Sequence, residues 1–123
     1  MRAGAKVNEK GNSGIYLRTG KPRVEVGDYE AQICTRPDQQ KTGSLYDLAP
    51  VQDIFVKPDT WFTYEIIAQG NRIQLLVNGK ETAYYQEVRP NRRLDGHIAL
   101  QHLDAETAVF FRGIEVKSLG PTR

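Results

Sequence analysis

The dipeptide Asn78-Gly79 limits the fold of this chain more than any other feature. It separates two short segments rich in β-branched and aromatic residues, 73–77 and 81–85. A type I′ hairpin turn needs positive φ at both central residues, and Asn-Gly adopts that conformation at little cost. A second turn, Gly70-Asn71, joins segment 62–68 to the first arm of the hairpin. The sequence therefore predicts an antiparallel three-stranded meander.

The rest of the chain has the same β character. Helical periodicity is nearly absent, and short β-branched and aromatic segments recur between turn signals. A closing strand is expected over 109–117, and one short helix over 59–62. The predicted class is all-β, an antiparallel β-sandwich.

Two long irregular stretches, 35–60 and 87–95, are rich in Pro, Asp, Gln, Asn and Arg. Loops of this size in a compact domain are often functional. The alternative is a tolerated surface insertion. For the basic run 89–93 we prefer the insertion, because a small basic loop is usually just solvated.

Bulk composition indicates one domain over residues 1–123. The 123 residues, 39% of them hydrophobic, suffice for one core. A net charge of +2 favours neither nucleic acid nor an anionic membrane as partner. No apolar run approaches the ~20 residues of a membrane helix, and the first residues do not read as a signal peptide. The lone cysteine, Cys34, is expected to be a small buried hydrophobic residue rather than a nucleophile.

Short motifs follow one another in a fixed order along nearly the whole chain. They lie at 11–18 (GNSGIYLR), 29–33 (YEAQI), 41–46 (KTGSLY), 61–63 (WFT), 70–73 (GNRI), 77–80 (VNGK), 98–101 (IALQ) and 111–116 (FRGIEV). This series resembles the 3-keto-disaccharide hydrolase domain, a bacterial family whose fold looks like the concanavalin A-like lectin and glucanase sandwich, a jelly roll. The resemblance implies a carbohydrate ligand.

Side chains in a strand alternate between the two faces of a sheet, so parity sorts the candidate site residues. Ile15 and Leu17 are expected to point to the core, as are Ile98 and Leu100. The opposite face then carries Asn12, Gly14, Tyr16, Arg18, Glu30, Gln32, His97, Ala99 and Gln101. For Gly11 and Gly14 we prefer a role in a tight turn or bulge over a close approach of ligand to backbone.

The polar side chains on this face suit sugar hydroxyls. If the motif strands are neighbours in one sheet, a shared surface holds Arg18, Glu30, Gln32 and Gln101, with Tyr16 or Tyr46 as stacking platforms. The alternative is an Arg18–Glu30 salt bridge on a solvated face, worth at most ~1 kcal/mol. Pattern alone does not separate these readings, and the resemblance favours the sugar site.

The two histidines have different expectations. His97 stands at a turn-to-strand junction and is expected at the surface. His102 is close to a position where many family members carry a histidine one place later, which here is Leu103. Parity places His102 on the core side unless the strand ends or bulges. Two histidines without a carboxylate pair or a cysteine spacing give no case for zinc.

The resemblance implies substrates whose carbon 3 is already a ketone, which acidifies the proton on carbon 2. Elimination of the glycosidic oxygen and hydration of the enone then give net hydrolysis. On this hypothesis Glu30 is the base or a ligand of a divalent ion, and Arg18 or His102 stabilises the enolate oxygen. Gln32 and Gln101 orient the sugar, and further substrate contacts come from Asn12, Tyr16 and Tyr46. No cofactor is evident, although a divalent metal held largely by water and substrate oxygens is compatible with this set.

The resemblance also bears on the ends of the chain and on alternatives to catalysis. Family domains begin with strands ahead of the first motif, so we expect either a missing front segment, a misplaced start or an oligomer that covers an exposed sheet edge. Family members are typically periplasmic or extracellular. A carbohydrate-binding module and a vestigial structural domain remain as competing hypotheses.

Overall fold

The computed structural model describes residues 1–20, 29–90 and 92–119. Its eight strands are β1 (Arg2–Val7), β2 (Asn12–Thr19), β3 (Tyr29–Cys34), β4 (Phe62–Gln69), β5 (Arg72–Val77), β6 (Lys80–Gln86), β7 (His97–His102) and β8 (Val109–Glu115). No helix occurs in the described ranges, so the short helix expected over 59–62 is wrong. Asp59 instead adopts a φ of 57° in a turn, and Phe62 begins β4.

The strands form two antiparallel sheets, which confirms the predicted β-sandwich. One sheet has the order β6-β5-β4-β1-β8, and the other has the order β3-β2-β7. Alternate residues of both sheets bury their side chains between the layers. The centre of this core consists of Ala5, Ile15, Ala31, Ile33, Leu45, Tyr64, Ile73 and Leu75, each 1% exposed or less.

The predicted meander is formed by β4, β5 and β6. Asn78 and Gly79 have φ values of 50° and 81°, the left-handed conformation that the type I′ turn requires. Gly70 has a φ of 59° in the turn between β4 and β5. The predicted closing strand is β8, which pairs with β1.

Part of the long stretch 35–60 is paired backbone and lies against β3. Ser44 O accepts a hydrogen bond of 2.9 Å from Gln32 N, and Tyr46 N donates one of 2.9 Å to Glu30 O. Leu45 pairs with Ala31 of β3 and is 1% exposed. This arrangement, which loop composition did not predict, adds a short strand-like segment beside the three-stranded sheet.

The opposite sheet holds this segment in place. The buried hydroxyl of Tyr64 on β4 accepts a hydrogen bond of 3.1 Å from Gly43 N and donates one of 3.0 Å to Gln32 O. Thr82 Oγ1 on β6 donates to Gly43 O at 2.8 Å. The segment that pairs with the edge of β3 is therefore fixed to the core.

In the described part of the chain, β7 and β8 each pair on one side only. Ile98 and Leu100 point toward the layer between the sheets, as predicted, but they are 44% and 45% exposed. Their expected burial is therefore wrong, because β7 ends its sheet and no described element covers its inner face. The sequence-based expectation of an uncovered edge concerned the first and closing strands instead, and these pair with each other as β1 and β8.

Candidate functional site

The outer face of the three-stranded sheet brings most of the candidate residues together. Gly14 in β2 is paired with Gln32 of β3 on one side and with Gln101 of β7 on the other. In the adjacent row, Tyr16 is paired with Glu30. These five residues therefore form a continuous patch centred on the middle strand.

Gly14 leaves the space that the Glu30 side chain occupies. A methyl group at Gly14 would lie 3.0 Å from both Cγ and Cδ of Glu30 and closer still to a carboxylate oxygen. Gly14 lies inside β2 rather than in a turn or at a bulge, so the role preferred from the sequence is wrong. The close approach it permits is that of a neighbouring side chain.

Glu30 is a buried carboxyl group without a cation beside it in the described residues. Glu30 is only 6% exposed. Burial raises the pKa of Glu30 to about 7, a hydrogen bond from Tyr16 opposes the rise, and the carboxylate of Asp47 adds to it. A carboxyl group with a pKa near neutrality can take up and return a proton at physiological pH.

The two glutamines beside Gly14 each have one satisfied end and one free end. Gln32 Nε2 donates to Gln40 O at 3.3 Å, and Gln101 Nε2 donates to the hydroxyl of Tyr16 at 3.4 Å. Both Oε1 atoms are buried, and no described residue donates to either. Gln32 is 2% exposed. Buried polar atoms of this kind are rare in proteins and call for a ligand or water.

Two residues of the stretch 35–60, Gln40 and Asp47, belong to the site and were missed from the sequence. Asp47 accepts a hydrogen bond of 2.7 Å from Gln40 Nε2, and Asp47 N donates to Gln40 Oε1 at 2.8 Å. Asp47 is close enough to Glu30 to raise its pKa. The sequence held one signal for Asp47, which directly follows Tyr46 at the end of the 41–46 motif. That signal places Asp47 near Glu30 only once the pairing of the motif with β3 is known.

Tyr46 and Asn12 lie at the margins of the patch. Tyr46 is 44% exposed, so its ring is accessible at the surface beside Glu30, to which its backbone is bonded. Asn12 Nδ2 donates to Gln39 Oε1 at 3.1 Å. Cys34, opposite Asn12, is 1% exposed, and burial raises the pKa of its thiol. This confirms Cys34 as a buried residue.

Arg18 does not share this surface, contrary to the parity prediction. The register of β2 against β7 shifts between Tyr16 and Thr19, and Arg18 has a φ of 56° there. The resulting bulge breaks the alternation of side chains. Arg18 donates from Nη1 to Gly70 O at 2.7 Å, in the turn of the opposite sheet. It is 8% exposed, and it ties the two sheets together instead of pairing with Glu30.

His102 also lies away from Glu30. It is paired with Ser13, whose side chain is on the face opposite that of Gly14. The prediction from strand alternation that His102 lies on the core side is therefore confirmed. Its Nε2 is 2.7 Å from Thr107 O, and the residue is exposed because it is at the end of the edge strand. His97 is exposed, as predicted.

A second buried carboxylate, Glu87, has a full set of partners. Arg89 donates to it from Nε and Nη2, each at 2.8 Å, and from its backbone N at 2.8 Å. The hydroxyl of Tyr29 donates at 2.6 Å, and that of Tyr85 at 3.3 Å. The Arg89 guanidinium holds the pKa of Glu87 well below its usual range. The start of the basic run 89–93, predicted to be a solvated insertion, therefore anchors a structural cluster.

Residues 1–20, 29–90 and 92–119 contain no group of three or more His, Cys, Asp or Glu side chains placed to hold a metal ion. In those same ranges, no helix has the length and apolar character needed to cross a bilayer.

The fold defines the class, an all-β sandwich of two antiparallel sheets. Two similar crystal structures come from Parabacteroides distasonis ATCC 8503, and each is described as a "putative glycosyl hydrolase". The first has a TM-score of 0.84 and 21% identity, over 96% of this chain and 76% of that chain. The second has a TM-score of 0.69 and 16% identity, over 89% and 66%. At these identities the likeness shows the fold.

The family is shown by sequence. Residues 1–117 match the 3-keto-alpha-glucoside-1,2-lyase-like domain, and the chain belongs to this family. The family indicates glycoside processing in general. Comparison with curated proteins finds no match.

Proposed function

We propose that this protein cleaves 3-keto-glycosides by elimination followed by hydration, with Glu30 as the base. The observation that carries the proposal is the buried Glu30 carboxyl, which lies against Gly14 with a pKa of about 7. The family match supplies the substrate class. A base of this strength is suited to a carbon acid that a neighbouring ketone has already activated.

The reaction then proceeds in two balanced steps. The ionised Glu30 removes the proton from carbon 2, the electron pair forms the carbon 1–carbon 2 double bond, and the glycosidic oxygen leaves carbon 1 and takes up a proton from solvent. Water next adds to carbon 1 of the enone and releases one proton to solvent, and neutral Glu30 returns its proton to carbon 2. The sum is hydrolysis, without the two catalytic carboxylates of an ordinary glycosidase.

The surrounding residues position the base and the sugar. Tyr16 hydrogen-bonds Glu30 and so helps to hold the carboxyl in the orientation that faces the substrate. The accessible ring of Tyr46 offers a stacking surface for a sugar, and Asn12 a polar contact at the margin. The proposal gives Arg18 and His102 no part in the reaction, since both are engaged elsewhere.

The test is aglycone release from a 3-keto-glucoside, with and without added divalent metal. We expect Glu30→Gln to reduce kcat/KM by about 10²- to 10⁴-fold, the usual contribution of a general base. Glu81→Gln is the matched control, because Glu81 is an exposed strand residue bonded to Gln74 in the other sheet. The wild-type rate should rise with pH through about 7, as Glu30 ionises. An active Glu30→Gln protein would remove Glu30 from the role of base.

A second candidate function is sugar binding without chemistry. One observation favours it: neither Arg18 nor His102, the residues that the sequence assigned to the enolate oxygen, lies beside Glu30. A carbohydrate-binding domain needs only the side-chain amides of Gln32 and Gln101 and the exposed ring of Tyr46. Binding of a 3-keto-glucoside without its turnover would select this function.

A further inference from the structure

The free amide oxygens of Gln32 and Gln101 have fixed orientations. Gln32 must direct Nε2 toward Gln40 O, because a carbonyl oxygen only accepts hydrogen bonds. Tyr16 uses its hydroxyl proton toward Glu30, so Gln101 must direct Nε2 to the Tyr16 oxygen. In each glutamine the end left over is therefore the carbonyl oxygen, an acceptor.

The two acceptors lie on either side of the base. Gln32 and Gln101 are both paired with Gly14, one on each neighbouring strand, so their Cα atoms are two strand spacings, or about 10 Å, apart. The Glu30 carboxyl lies against Gly14, between them. The patch therefore presents a carboxyl flanked by two buried oxygens that need donors.

We propose that Gln32 and Gln101 accept hydrogen bonds from two hydroxyl groups of the sugar ring, those on carbons 2 and 4. This inference rests on the proposed function. In a 3-keto-glycoside these hydroxyls flank the ketone and the acidic proton on carbon 2, which matches two acceptors that flank a base. The ketone oxygen itself carries no proton and cannot satisfy either glutamine. The site thus requires sugars that keep both hydroxyls.

The physical reason for strict selection is that a missing hydroxyl leaves a buried acceptor unpaired. Sites built to bond a substrate hydroxyl reject analogues that lack it far more strongly than apolar pockets reject a missing methylene group. The proton to be removed stays on carbon 2 in both the 2-deoxy and the 4-deoxy analogue. Because removal of the carbon 2 hydroxyl also changes the acidity of that proton, hydroxyl recognition is measured by comparing the loss of rate in wild type with the loss in the glutamine variants.

The experiment compares kcat/KM for a 3-keto-glucoside and for its 2-deoxy and 4-deoxy analogues, with and without EDTA. We expect at least a ~10-fold loss for each analogue with the wild-type protein. Gln32→Met and Gln101→Met keep the length of the side chain and remove the acceptor. Each variant should lose discrimination against one analogue and keep it against the other. Gln74→Met, at a partly exposed position of β5 in the other sheet, is the control and should discriminate as wild type does.

The outcomes separate this inference from the proposed function. A merely structural role of either glutamine would lower the rate on all three substrates by the same factor and would overturn the inference. Equal turnover of the deoxy analogues by the wild type would also overturn it while the proposed function stands, as would selectivity that EDTA abolishes. If no substrate is turned over, the proposed function fails. NMR titration with methyl glucoside and its deoxy analogues then decides: weaker binding of both analogues supports the acceptor pair, and equal or absent binding overturns it.

Discussion

Two buried glutamates on this sandwich, Glu30 and Glu87, differ in their partners and therefore in their chemistry. Each residue is only 6% exposed. Glu87 accepts hydrogen bonds from two tyrosine hydroxyls and from three donors of Arg89. Glu30 has the hydroxyl of Tyr16 and the repulsive charge of Asp47. The pKa of Glu87 is held well below its usual range, whereas burial raises that of Glu30 to about 7.

The comparison shows that burial alone does not identify a functional carboxylate. A buried charge with a cation and several donors is stabilised as an ion and is difficult to protonate. A buried carboxyl group without a cation is poised near neutrality, at a cost in stability, and such groups concentrate at functional sites. Glu87 is therefore a structural anchor, and Glu30 is the residue available for proton transfer.

The comparison predicts the largest change in stability where the anchor is broken. Arg89→Met removes the cation and two side-chain donors from Glu87 and keeps the backbone N–H donor. We expect the free energy of unfolding to fall by about 3 kcal/mol, the low end for a buried pair because Arg89 is partly exposed. Denaturant unfolding with a constant m-value measures this.

The control for Arg89→Met is Arg2→Met, which breaks the exposed Arg2–Glu115 pair between β1 and β8. That change should cost less than ~1 kcal/mol. Equal losses in the two variants would show that the Glu87 cluster is no more of an anchor than a surface pair, and the contrast with Glu30 would disappear.

The next effect is a pH dependence that Glu30 alone should produce. Its folded pKa of about 7 lies above the ordinary value of 4.5, so the folded state binds the proton more tightly than the unfolded state. This contribution to stability is present below pH ~4.5 and is lost as the pH rises through about 7. Between about pH 5.5 and pH 8 the loss amounts to about 2 kcal/mol.

Glu30→Gln should remove this part of the pH profile, so the variant gains stability relative to wild type as the pH rises. The measurement is the free energy of unfolding of both proteins at several pH values. Glu81→Gln, which changes an exposed carboxylate, should follow the wild-type profile. Parallel profiles for wild type and Glu30→Gln would mean that Glu30 ionises normally in the folded protein.

The sequence predicted the fold well because its signals are local. The Asn78-Gly79 turn, the strand motifs and the alternation of apolar residues all act over a few residues. It also placed Tyr16, Glu30, Gln32 and Gln101 on one face, because β2, β3 and β7 keep a regular register over those rows. These residues make up most of the candidate site.

The errors arose where the register is irregular or the contact is long-range. Parity failed at Arg18, since the shift between Tyr16 and Thr19 turns its side chain to the other sheet. Asp47 was missed because its proximity to Glu30 depends on a loop segment that pairs with β3 and is held there by Tyr64. Neither a bulge nor a tertiary hydrogen bond leaves a clear pattern in the neighbouring residues.

The smallest expected effect on stability comes from Gly14, and it tests how Glu30 is positioned. Gly14→Ala would place a methyl group 3.0 Å or less from the Glu30 side chain, which must then move. We expect a loss of about 1 to 2 kcal/mol in unfolding free energy, typical of mild overpacking. Turnover of a 3-keto-glucoside should fall at least ~10-fold, because a displaced base loses its alignment with carbon 2.

Gly4→Ala is the matched control for Gly14→Ala. Gly4 is also inside a strand, and a methyl group there would also come within 3.0 Å of a side chain, that of Arg112. Arg112 is exposed, and its guanidinium stacks 3.9 Å from the centroid of the Trp61 ring, so a shift of its side chain should cost little stability and leave turnover unchanged. If Gly14→Ala retains full turnover, the position of Glu30 against Gly14 does not matter for the reaction. Glu30 would then differ from Glu87 in its pKa but not in a catalytic role, and the base would have to be another residue.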